Sequence, residues 1–85
     1  NPFNSNTIID FYITNDSKVD LKIFDIMGNL VRNLVSNRMP AGLKKITWDG
    51  TNNNRENIAA GVNFYKLIVN ETLFSNKMVY LKWLY

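Results

Sequence analysis

Hydrophobic and polar positions alternate with a period of two along most of the chain, the spacing that sends one row of side chains to a core and the other to water. Within residues 7–13, Ile9, Phe11 and Ile13 share one face, and Asp10 and Tyr12 the other. Asn15-Asp16-Ser17 is a turn cluster, because these side chains close turns by bonding to their own backbone. Residues 18–25 then oppose Val19, Leu21 and Ile23 to Asp20 and Lys22. Residues 43–49 align Ile46 with Trp48 and set Lys45 and Thr47 against them. The stretch 62–69 is rich in β-branched and aromatic residues, Asn70-Glu71 reads as a two-residue hairpin break, and 72–81 supplies the closing strand. Turn signals recur every ~8–12 residues, which predicts an immunoglobulin-like antiparallel β-sandwich of about seven strands. Its expected core is Ile9, Phe11, Val19, Leu21, Ile23, Ile46, Trp48, Tyr65 and Leu67.

One stretch, FDIMGNLVRNLV at residues 24–35, admits other readings. A phosphate-cradling loop needs several glycines, or a Gly-Lys-Ser/Thr opening a helix, so that backbone N–H groups converge on the anion. Gly28 stands alone and is followed by Asn29. Asp25-Ile26-Met27-Gly28 instead suits a tight turn, in which the carboxylate accepts from a downstream amide and glycine takes positive φ. The stretch is thus a corner between strands. Beyond it, Leu30, Val31, Leu34 and Val35 also fit a 3.6-residue period, so residues 30–37 carry a helical alternative. Gly42 in Pro40-Ala41-Gly42, Gly50 in the polar excursion 49–57, and Gly61 after Ala59-Ala60 join Gly28 as expected turn glycines.

The chain has 85 residues, enough for one domain over 1–85 and too few for two. It holds no cysteine and no histidine, which removes disulfides, thiolate chemistry, most zinc sites and imidazole-based triads. The net charge of +3 comes from basic residues spread along the whole chain, with Lys44-Lys45 the only adjacent pair, so no nucleic-acid partner is expected. No apolar run approaches the ~20 residues of a membrane helix, and no transmembrane segment is expected. The chain starts Asn1-Pro2 rather than with methionine, and it reads as a fragment of a larger exported protein whose signal lies outside it. Asparagine is abundant and densest at Asn52-Asn53-Asn54, in keeping with many short connections or with a coding bias.

The order of motifs carries a resemblance. NPFN at 1–4, TIIDF at 7–11, VDLKIFDIMG at 19–28, PAG at 40–42, WDG at 48–50, AGVNFYKL at 60–67 and KMVYLK at 77–82 occur in succession. Together they resemble the C-terminal sorting domain, type A, of the type IX (Por) secretion system. The same pattern is shared with the Ig-like domain of flagellar hook-capping proteins. Departures are Ser5 where the family has proline, Asn63 where it has an aromatic, and Trp83-Leu84-Tyr85 beyond its usual basic end. The resemblance implies a non-catalytic domain without cofactors that targets an exported cargo through the type IX machinery to the surface of a Gram-negative bacterium. Its implied partners are that machinery, a surface peptidase and the covalently linked N-terminal cargo domain. Lys77, Val79, Leu81 and Lys82 on the closing strand are the candidate translocon-recognition residues; the competing reading has the lysines merely blunting an exposed edge. The alternative function is a structural or accessory Ig-like module, hook-capping-like or appended to an extracellular enzyme. Exposed edge strands also make an edge-to-edge dimer possible.

Three chemistries are set aside from residue types alone. Asp49-Gly50-Thr51-Asn52-Asn53-Asn54 superficially resembles a calcium loop, yet Asp49 is its only anion before Glu56, and the spacing does not fit an EF-hand. Glycoside hydrolysis needs two carboxyl groups facing across ~5–9.5 Å in a cleft, which a thin core does not offer. Trp48 alternates inward and reads as a core anchor rather than a sugar platform; Tyr12, Trp83 and Tyr85 are the expected exposed aromatics and keep a carbohydrate reading open.

Overall fold

The computed structural model describes the backbone of residues 3–4, 6–58, 61–80 and 82–83, and the side chains of residues 6–58, 61 and 63–74. In chain order the strands are β1 (Phe3–Asn4), β2 (Thr7–Ile13), β3 (Ser17–Asp25), β4 (Leu30–Met39), β5 (Gly42–Trp48), β6 (Gly61–Val69), β7 (Thr72–Tyr80) and β8 (Lys82–Trp83). Every pairing is antiparallel. One sheet runs β4-β3-β6-β7; β2 pairs with β5 as the opposing layer; β1 and β8 form a two-residue ribbon. Six long strands and one short ribbon account for the expected count of about seven.

The period-two pattern converts directly into burial. Along β3, Ser17, Val19, Leu21 and Ile23 are buried while Lys18 is exposed and Asp20 and Lys22 sit between. The core joins Ile9 and Ile13 of β2, Val19, Leu21 and Ile23 of β3, Trp48 of β5 and Leu67 of β6. Of the expected core, Phe11, Ile46 and Tyr65 are only half-buried and pack against its margin. A two-stranded layer cannot cover a four-stranded sheet, so inward-facing residues near its free edges keep contact with water.

Residues 30–37 form part of a strand and not a helix. The helical spacing has a cause in the register. Leu21 pairs with Val35 but Lys22 with Asn33, and Ile23 pairs with Arg32 but Phe24 with Leu30, so Leu34 and Val31 are each inserted as a bulge. A bulge places two residues of one strand opposite one of its neighbour and turns consecutive side chains the same way. Two bulges three residues apart therefore leave Val31, Leu34 and Val35 all half-buried against the core, in a pattern that imitates a 3.6-residue repeat.

Asn63, which stands where the resembled family has an aromatic, is buried inside the four-stranded sheet. It lies on β6, flanked by β3 and β7, and is 3% exposed. Among the described residues none gives its amide a hydrogen bond.

Candidate functional site

The corner after β3 is closed by one carboxylate. Asp25 Oδ1 accepts from the N–H groups of Met27 and Asn29, both at 2.9 Å, and the Gly28 N–H donates to the Asp25 carbonyl at 3.0 Å. Gly28 has φ 87°, a conformation an L side chain adopts only with strain. The Asp25 carboxyl is held below its ordinary pKa by the Asn29 backbone bond above all, with Asn29's side chain and Met27 adding to it. Backbone groups that a phosphate loop would aim outward are spent here within the turn.

The loop after β5 is locked in a similar way. The Trp48 indole N–H donates to the Thr51 carbonyl at 2.9 Å, and Asp49 Oδ1 accepts from the Thr51 N–H at 3.1 Å and from its hydroxyl at 2.6 Å. Arg32, half-buried on β4, donates to the Thr51 hydroxyl oxygen and to the Asn52 carbonyl, and lies 3.7 Å from Asp49 Oδ1. Asn52 Oδ1 takes the N–H groups of Asn54 and Glu56, while Asn53 exchanges bonds with β4 through the Val31 carbonyl and the Asn33 N–H. The Thr51 hydroxyl is the chief cause of a lowered Asp49 pKa, with Arg32 contributing. A guanidinium thus stands where a cation would sit in a calcium loop, and the described residues hold no cluster of three or more acidic ligands. Sequence reasoning missed Arg32; its signal was a single charge within an otherwise apolar stretch.

An apolar groove opens between the layers on the β2–β7 side. β2 contributes Ile9 and Phe11, β6 contributes Tyr65, Leu67 and Val69, and β7 contributes Phe74 to a groove of about 230 Å³. A second depression of about 270 Å³ continues from Val69 and Phe74 past Ile13 and Ser17 toward Asn70 and Thr72. Tyr12 and Phe74, 69% and 52% exposed, flank the opening. The only acid lining the groove, Asp10, is paired with Lys45 at 3.4 Å. The groove suits an apolar side chain and offers no pair of facing carboxyl groups for hydrolysis.

Of the candidate recognition residues, Lys77 and Val79 lie on the backbone of β7 opposite Phe64 and Val62, and Lys82 lies on β8 opposite Asn4. Their side chains, and all of Leu81, lie outside the described residues, as do the side chains of Trp83 and Tyr85. Gly42, Gly50 and Gly61 occur at or beside strand ends.

The family model for the FlgD Ig-like domain matches residues 3–73. Among solved structures, the crystal structure of FlgD from P. aeruginosa is similar in fold, with a TM-score of 0.64 and 15% identity. The match covers 95% of this chain and 66% of that one, so the chain spans just under two thirds of its length. No curated protein is matched.

Proposed function

Since the chain belongs to the family of FlgD Ig-like domains, we propose that it is a non-catalytic structural module, of the hook-capping kind, that packs against a neighbouring part of a larger exported protein at the cell surface. The open flank supports this reading most. A sandwich whose core is already closed on Trp48 still holds Tyr12 and Phe74 in solvent beside an apolar groove. Contiguous exposed apolar area of this sort marks a surface that another surface covers. A covalently attached neighbour supplies that cover at high effective concentration. The test is hydrogen exchange on the full-length gene product, with and without Tyr12→Ser and Phe74→Ser together. The intact protein is expected to protect β2 and β7 beyond the isolated chain, and the double variant to lose that excess. Equal protection in both forms overturns the reading.

A second reading, as a C-terminal sorting tag for type IX export, is supported by the ordered run of motifs that ends in KMVYLK on the closing strands. It is separated from the first by fusing the chain to the end of a reporter in a type IX-competent bacterium. Surface delivery that is lost on deleting 77–85 favours the tag; retention of the fusion inside the cell favours the structural module. Pairing of the exposed edges of β2 or β7 between copies belongs to either reading, and sedimentation across a concentration series measures it.

A further inference from the structure

The face of the four-stranded sheet turned away from the core carries a charge arrangement that folding does not explain. Lys22 on β3 and Lys66 on β6 are direct register partners. Directly opposite like charges destabilise a sheet. Asp20, on the same strand, attracts Lys22 only at longer range, since it is bonded by Ser36 at 2.9 Å and paired with Lys18 at 3.6 Å, and Asp16 is paired with Arg38 at 3.5 Å. Among the described residues, neither Lys22 nor Lys66 has a carboxylate oxygen within 4.0 Å. Lys66 Nζ instead lies 4.8 Å from the centre of the Phe24 ring. Phe24 faces Phe64 in the row on one side of the pair, and Asp20, Ile68 and Leu73 make up the row on the other.

We propose that this outer face of β3 and β6 docks an acidic protein surface, with a carboxylate set between Lys22 and Lys66 and apolar side chains resting on Phe24 and Phe64. Charge complementarity selects the partner. Two opposed cations with no carboxylate in ion-pair range among the described residues, flanked by half-buried aromatics, have the make-up of an interface patch, in which the charges fix register and the rings supply contact area. A nucleic acid or a membrane of phosphate headgroups calls for a broader basic stripe than two opposed lysines. A second copy meeting it face to face would bring four lysines together. A like-charge pairing that opposes folding locally is what a binding surface leaves behind. This inference concerns the sheet face and not the β2–β7 flank, so its failure leaves the structural-module reading standing.

The experiment titrates the chain with an extended peptide alternating glutamate and valine, and with its glutamine counterpart, following amide shifts at 50 and 200 mM salt. The glutamate peptide is expected to shift residues of β3 and β6 and to weaken at the higher salt. The glutamine peptide is expected to bind at least tenfold more weakly. Lys22→Glu with Lys66→Glu should abolish binding of the glutamate peptide and create binding of a lysine–valine peptide. Lys22→Gln, which relieves the repulsion without reversing it, should leave the melting temperature unchanged or higher while weakening the peptide several-fold. Equal binding of the glutamine peptide, failure of the charge swap, a lower melting temperature for Lys22→Gln, or preferential binding to phosphatidylglycerol vesicles would each overturn the proposal.

Discussion

Replacing Trp48 by phenylalanine tests whether the indole secures the loop that follows β5 as well as filling the core. Trp48 is fully buried, and its ring N–H donates to the Thr51 carbonyl, which sits in a residue only 9% exposed. Two costs follow. Removing the five-membered ring leaves a small cavity, for which the surrounding core loses ~1–2 kcal/mol. The Thr51 carbonyl also loses its donor; partial access to water puts that cost at the low end of the range for a buried orphan, ~1–2 kcal/mol. The sum is ~2–4 kcal/mol. Against a total of ~4–13 kcal/mol for a chain of this length, the change removes a large share of the stability. At ~4–8 °C per kcal/mol for a domain this small, the melting temperature should fall by ~10–25 °C. Far-UV circular dichroism in a urea series is the assay, since Trp83 would confuse a fluorescence reading. The midpoint should drop by ~2 M with unchanged slope. A drop worth less than ~1 kcal/mol would refute the argument. It would mean that the carbonyl finds water at no cost and that the loop is held by Arg32 and Asn53 alone.

Three other changes test separate steps. Asn63→Leu keeps the number of side-chain heavy atoms and removes an amide that is buried without a bond among the described residues, so urea unfolding should show a gain of ~1 kcal/mol after the packing cost of the wider leucine; a loss would reveal a partner for that amide or an overpacked site. Arg55 sits at φ 64°, so Arg55→Gly should stabilise by ~1 kcal/mol while Arg55→Ala does not, as calorimetry of the two can compare. Asp20, Asp25 and Asp49 are all held in the fold below the ordinary carboxylate value of about 3.9. Their unfolded forms therefore take up protons first, so the stabilisation they give is complete above that value and is lost as pH falls below it toward the folded values. Melting temperature should decline from about pH 4 downward, and Asp25→Asn should lower the plateau and flatten the decline.

The architecture was legible in the sequence because burial in a sandwich depends mainly on parity. Val19, Leu21 and Ile23 had to share a face once residues 18–25 were extended, and no distant contact could alter that without moving every neighbour to the wrong side. Turn chemistry was legible for the same local reason. Asp25, Gly28 and Asn29 are within five residues of one another, and their bonds are made inside that span. Resemblance through ordered motifs led to two overlapping families, and the match to FlgD Ig-like domains over residues 3–73 spans those motifs except the closing KMVYLK and the first two residues.

What required the assembled structure was everything set by residues distant in sequence. The bulges at Val31 and Leu34 depend on how β4 slips along β3, and period alone cannot separate that slip from a helix. Arg32 acquires its role only when β4 lies beside a loop 17–20 residues further on, where Thr51 and Asp49 await it. Lys22 and Lys66 are harmless until β3 and β6 pair in one register, which places like charges opposite each other. The sequence by itself determined which side chains face inward, since alternation is a property of a single strand. Tertiary structure alone decided which strands border which, and therefore where the open flank and the unpaired charges lie, because pairing is a relation between segments that no one segment encodes.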